Sequence, residues 1–169
     1  MNIEFLIEYA KNQIIQTDNL TPTFIAHTVR GERYIIPMLC TDEEKPKTLK
    51  TLKQFFALNE VVDYFFFMEV WSASHQKENE AHKAIKDRDD AKETLLVFHV
   101  SPNGNEAQSF LINRETAPVS FETMEADLKS ARGTFLELLP SEDEKLTDLE
   151  RSVVEGVIKK MGIKLEKIH

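Results

Sequence analysis

The sequence predicts an α+β fold: a single domain over residues 1–169, built on a mixed, mostly antiparallel five-stranded sheet with helices packed against it. Three observations lead there. Helical apolar stripes and strand-like runs alternate in the order α-β-β-α-β-β-β-α-α, one run (Val61 to Trp71) is apolar almost throughout, and neither a repeat nor a composition break marks a boundary in the 169 residues.

The elements follow in order. Ile3, Leu6, Ile7, Ala10 and Ile14 share one helical stripe, which should stop near Asp18-Asn19, ahead of Thr21-Pro22. Thr23 to Val29 and Arg33 to Leu39 read as a hairpin around Arg30-Gly31-Glu32, with Pro37 placing the second strand at a sheet edge or ending it. Thr41 and Glu44 have capping-box spacing, so a helix is expected from Asp42 to Leu58 with Pro46 in its first turn. Val61 to Trp71 is the central strand: Asp63, Phe65, Phe67, Glu69 and Trp71 point one way, and Val62, Tyr64, Phe66, Met68 and Val70 the other.

Residues 72–92 are charged and lack hydrophobic periodicity, which predicts an exposed connecting segment. Thr94 to Ser101 and Ala107 to Arg114 are two further strands around Pro102-Asn103-Gly104-Asn105. Ser120, Glu122 and Thr123 then open a predicted helix carrying Met124, Leu128 and Ala131. Ser141 and Glu144 cap a last helix whose stripe is Leu146, Leu149, Val153, Val157 and Met161. The second helix carries the chain from the hairpin to the central strand, which suits a mixed, mostly antiparallel sheet, and the expected strand order is 2-1-3-4-5.

Several function classes are disfavoured by composition. Twenty-one Lys+Arg against 29 Asp+Glu give a net charge of -8, the wrong sign for gripping a phosphate backbone, so nucleic acid is not an expected partner. One cysteine, Cys40, cannot form an internal disulfide. The start Met1-Asn2-Ile3-Glu4 lacks a basic leader, and the apolar stretch Tyr64 to Met68 is far shorter than a membrane span needs. The expectation is a cytoplasmic protein with no membrane partner. No nucleophile elbow, phosphate-binding loop or dinucleotide fingerprint is present, and no cofactor is expected.

An N-terminal helix, Phe24-Ile25-Ala26-His27, Glu69-x-Trp71 closing an aromatic strand, and Lys92-Glu93 leading into an apolar strand give the chain its likeness to other proteins. Over roughly residues 1–105 it resembles a widespread group of short prokaryotic and phage proteins. That group has no established activity, so the resemblance implies a fold.

Candidate site residues come from side chains that do not suit their surroundings. Glu69 is a carboxylate in an apolar strand and must be paired, protonated or near the strand's exposed end; Lys92 and Arg88 are the expected partners. Trp71 shares its face and suits a ligand-stacking platform, an interface anchor or, first of all, the rim of the core. His27 and His99 fall in strands that could bring them together near Glu69. His75, Glu78 and His82 lack the His-to-His spacing of four that a zinc helix uses, so no metal site is assigned. Glu115, Glu122, Glu125, Asp127, Glu137, Glu142, Asp143 and Glu144 stand against only Lys129 and Arg132 in residues 115–144, and they hold most of the net negative charge.

The leading expectation is a non-catalytic protein that binds a protein partner through the acidic 115–144 face and a rim of Trp71, Arg88, Lys92 and Glu93. A rival is an enzyme or small-ligand binder with a cleft near Glu69, Trp71, Glu93 and His99, in which Glu69 is general base and His99 its acid partner. A self-associating protein, such as a homodimer, is the third.

Overall fold

The computed structural model describes residues 2–73, 85–87, 91–124, 134–140 and 146–160. They form an α+β structure with three α-helices, α1 (Ile3–Thr17), α2 (Lys45–Leu58) and α3 (Asp148–Lys160). The strands are β1 (Thr23–Thr28), β2 (Arg33–Pro37), β3 (Val61–Ala73), β4 (Ala91–Ser101), β5 (Gly104–Asn113) and β6 (Ser120–Met124). All six lie in one antiparallel sheet in the order β2-β1-β3-β4-β5-β6. No helix among the described residues is long and apolar enough to cross a membrane.

The sheet has six strands where five were expected, and it is antiparallel rather than mixed. The extra strand is β6, in the place of the helix predicted from Ser120. It pairs with β5 in a register that sets Phe121 opposite Ile112 and Thr123 opposite Phe110. Ser120 and Glu122 resemble a helix cap in sequence, yet both are exposed on this short edge strand, where polar residues are tolerated. Helix residues 125–131 of that expectation, and the Ser141–Glu144 cap, lie outside the described residues.

By its contacts the chain divides into two compact units, one of residues 1–21, 67–98 and 107–126, the other of residues 22–66, 99–106 and 127–169. In the first, Asn2 caps α1 by accepting from the Phe5 N–H at 3.1 Å, and Asp18 ends the helix in the left-handed region at φ 58°. Leu6, Ile7, Ala10 and Ile14 are buried, the stripe read from the sequence apart from Ile3 at its start. Tyr9 meets the edge of Phe67, and the Lys11 ammonium sits 4.1 Å from the centre of the Phe110 ring.

In the second unit, Thr41 and Glu44 make the reciprocal hydrogen bonds of a capping box in the turn that leads into α2. Its core is aromatic: Phe24 stacks on Phe66 at 4.2 Å, Phe66 on Phe135 at 4.9 Å, and Phe56 tilts against Tyr64. The Tyr64 hydroxyl donates to the Phe135 carbonyl. Burial above all pushes that phenol well above its ordinary range.

Helix α3 packs on α2, but with a different face from the one expected. Val154 and Ile158 are buried, whereas Leu149 and Val153 are exposed. The helix carries two apolar stripes about 100° apart, and the core takes the second. It is capped by Thr147 and Glu150, whose carboxylate accepts from the Thr147 N–H at 2.9 Å and hydroxyl at 2.8 Å.

Candidate functional site

Two charged constellations hold four of the residues that the sequence singles out, His27, His99, Glu69 and Glu93. The second unit carries the first of them, on β1, β3 and the last residues of β4. His27 donates from Nδ1 to Asp63 Oδ1 at 2.7 Å, and His99 Nε2 lies 3.5 Å from the same oxygen. Antiparallel register sets His27 opposite Arg33, and the Arg33 Nε–H donates to His27 Nε2 at 3.1 Å. Nε2 therefore presents its lone pair, and the ring proton is on Nδ1, facing Asp63. Phe65, two residues beyond Asp63, stacks flat on His99 at 4.2 Å and meets His27 edge-on at 5.7 Å.

These groups are half-buried. Burial raises the Asp63 carboxyl, but the hydrogen bond from His27, joined by the electrostatic pull of the two imidazoles, outweighs it and holds the group below its ordinary value. Both ring nitrogens of His27 are occupied. Acid–base work requires a nitrogen facing a substrate, and only His99, through Nδ1, keeps one without a hydrogen bond among the described residues.

The first unit holds the second constellation, centred on Arg114 just past β5. Arg114 grips Glu93 with a two-pronged fork, Nε to Oε2 at 2.7 Å and Nη2 to Oε1 at 2.9 Å. Its Nη2 also donates to Glu69 Oε1 at 3.2 Å, and its Nη1 to Asp18. One guanidinium thus serves three carboxylates from α1's end, β3 and β4. Glu69 receives the weakest share: burial lifts its carboxyl above the ordinary value, Arg114 offsets part of this, and neighbouring Glu93 adds to the rise. Arg114 itself is held more firmly protonated than a free arginine, chiefly by its hydrogen bond to Glu93.

Glu69 and His99 fall in different units, and each is engaged by other residues, Glu69 by Arg114 and His99 by Asp63. Glu69's partner is Arg114 rather than Lys92, which is exposed. Glu93 belongs to the same ion cluster. Trp71 is 47% exposed on the far part of β3, next to Ser72, whose hydroxyl bonds Thr94 Oγ1 at 3.0 Å. Arg88, His75, Glu78 and His82 lie outside the described residues, as do Glu125, Asp127 and Glu142 to Glu144 of the acidic region. Glu115, Glu122 and Glu137 are exposed. Among the described residues, no group of three or more His, Cys, Asp or Glu side chains is placed to hold a metal ion.

Comparison with known proteins finds no match. No family model fits the chain, and no curated protein or solved structure is significantly similar to it.

Sequence reasoning overlooked two central residues. Asp63 interrupts the apolar run of β3 just as Glu69 does, so the rule that singled out Glu69 points to it equally. Arg114 is the only lysine or arginine between Lys92 and Lys129. A lone cation in so acidic a stretch is the natural partner for a stranded glutamate.

A separate cleft of about 330 Å³ in the second unit is lined by Arg30, Phe55, Asn59, Arg151, Glu155 and Ile158, among others. Arg30 is already tied to Glu60 at 3.1 Å. None of the residues of the two constellations lines this cleft.

Proposed function

We propose that the protein acts by binding a protein partner through the exposed face around Trp71, without catalysing a reaction. The observation that carries this reading is the 47% exposure of Trp71, the chain's single tryptophan. Leaving a large aromatic half in water forgoes apolar burial that the fold would otherwise gain, and such side chains are the ones that anchor protein interfaces. Strand β3 runs for 13 residues and β4 for 11, about twice the usual strand length. Trp71 stands near the end of β3, where Lys92 is exposed as well.

Of the two catalytic candidates, Glu69 is bound to Arg114, and a general base needs a proton acceptor facing its substrate, so it does not suit that role as it stands. His99 has its Nε2 beside Asp63 and keeps only Nδ1 for acid–base work. The exposed Glu115 and Glu122 of the first unit add acidic character in keeping with a basic partner.

A photo-reactive residue in place of Lys92 tests this in cells. It should give one discrete cross-linked protein species, and adding Trp71→Ala should abolish that species while leaving the melting temperature nearly unchanged. Absence of any adduct, or an adduct that persists in Trp71→Ala, overturns the proposal.

A further inference from the structure

Two places in the second unit gather charge without serving the Trp71 face. The cleft on α2 and α3 has both signs in its walls, Arg30 and Arg151 against Glu32 and Glu155, so it selects no one class of ligand. The cluster around His27 is different, because each hydrogen bond at that ring has a fixed direction of donation.

His27 donates from Nδ1 to Asp63 Oδ1 at 2.7 Å, and its Nε2 accepts from the Arg33 Nε–H at 3.1 Å. The bond from Arg33 exists only while the imidazole is neutral. Histidine is the side chain whose charge changes between about pH 8 and pH 5, and once it is protonated both ring nitrogens are donors. Arginine keeps its proton throughout and has no acceptor. A protonated His27 therefore points an N–H and a positive charge at the N–H and positive charge of Arg33. On its other side it gains, because Nδ1–H then faces Asp63 as one half of an ion pair. Of the two contacts, the one to Asp63 strengthens and the one to Arg33 fails.

The surroundings decide which group moves. Phe65, 2% exposed, meets the His27 ring edge-on and stacks on His99, which keeps both imidazoles from turning. The charged and titratable groups bonded into the cluster are Arg33 from β2, Asp63 from β3 and, across the shared carboxylate oxygen, His99 from β4; no described helix residue joins them. The hairpin turn is tied independently, the Thr28 N–H to the Glu32 carbonyl and the Gly31 N–H to the Thr28 carbonyl, each at 3.0 Å. Strand β2 therefore stays paired, and the long Arg33 side chain on this outermost strand is the part that can leave.

We propose that His27 is a proton-driven latch on Arg33: neutral, it holds the guanidinium in place, and protonated, it keeps Asp63 and releases Arg33. With both imidazoles protonated, the four side chains pass from a cancelling pair, Arg33 and Asp63, to a surplus of two positive charges. Acidification thus makes a cationic patch at the β2 edge of a chain whose net charge is -8 with histidine neutral. The latch is independent of the Trp71 reading.

Nitrogen and proton NMR of the full chain from about pH 8 to pH 5 provides the test. At the alkaline end His27 should carry its proton on Nδ1 alone, with the Arg33 Nε–H held in a hydrogen bond to Nε2. The two signals should then change together with one midpoint, while the backbone amides of β1 and β2 keep their sheet positions. His27→Gln, which takes up no proton, should abolish the response of Arg33 to pH. Asp63→Asn removes the anion that favours the imidazolium, so the shared midpoint should fall by about one pH unit or more. An Arg33 signal that does not follow His27, or a His27 that stays neutral to the acid end, overturns the proposal. So does loss of the β1 and β2 amides along with the Arg33 contact, an Arg33 response that survives in His27→Gln, or an unmoved midpoint in Asp63→Asn. The wild-type titration decides by itself if either variant fails to fold.

Discussion

The two charged constellations are built on opposite plans. In the first unit one cation, Arg114, is shared by Glu69, Glu93 and Asp18; in the second one anion, Asp63, is shared by His27 and His99. The difference lies in what the surplus partners can do. An imidazole can stay neutral and still donate a hydrogen bond, so a second histidine beside Asp63 adds no obligatory charge. A carboxylate that gives up its charge must take up a proton. Three of them share one guanidinium, and the half-buried Glu69, held by Arg114 at 3.2 Å and by a backbone hydrogen bond from Leu20, is the one pushed up while Asp63 is pulled down. Burial opposes ionisation in both clusters; the two histidines outweigh it at Asp63, and the shared guanidinium does not at Glu69.

The largest break in this comparison is Arg114→Met. It leaves Glu69 and Glu93 side by side with no cation, and removing one partner of a substantially buried ion pair costs about 3–5 kcal/mol. Urea unfolding at pH 7 should show a loss of that order. Part of it should return on acidification toward pH 5, since the unpaired carboxylates can then take up protons in the folded state. A loss below about 1 kcal/mol, the scale of an exposed ion pair, would mean that water screens the cluster.

Asp63→Asn comes next. The amide keeps the shape and can still accept from His27, but it loses the charge, so about 1–3 kcal/mol is expected. The pH dependence carries a sign. A carboxyl whose folded value is depressed stabilises the fold fully above its ordinary value, near 3.9, and loses that contribution as pH falls through the lower folded value. Asp63→Asn should therefore flatten the stability profile below about pH 4. An unchanged acid limb would show that the two histidines do not hold the carboxylate.

How much of this was legible in the sequence depends on how local the signal was. The α1 stripe, the hairpin with Pro37 at its edge strand, and the apolar β3 are each encoded by neighbours a few residues apart, and the expected order of the first five strands matches the sheet. β6 was missed because Ser120, Glu122 and Thr123 serve a helix cap and an edge strand equally well; only pairing with Ser109 to Asn113 decides between them. The buried face of α3 was misread because Leu149/Val153 and Val154/Ile158 are both valid helical stripes, and the choice belongs to the surface packed against them. At the site, Glu69 stood out by its apolar surroundings, while its partner Arg114 is 45 residues away and comes close only through the order of the sheet. A residue's discomfort is visible in sequence; its remedy is tertiary.

The smallest effect sharpens the comparison most. Glu69→Gln removes the carboxylate whose charge is least well served, and Arg114 keeps its fork to Glu93 and its bond to Asp18. The lost attraction is offset by relief of the burial cost and of repulsion from Glu93, so stability at pH 7 should change by less than about 1 kcal/mol. The pH profile is more telling. A carboxyl raised in the folded state opposes folding while ionised, and that penalty fades as pH falls through the raised value toward the ordinary one, near 4.3. Wild-type protein should thus gain a little stability on acidification just above that value, and Glu69→Gln should lose this gain while keeping the Asp63-dependent fall at lower pH. If both features vanish together, the two clusters titrate as one system; if the gain persists, a different group is the strained one.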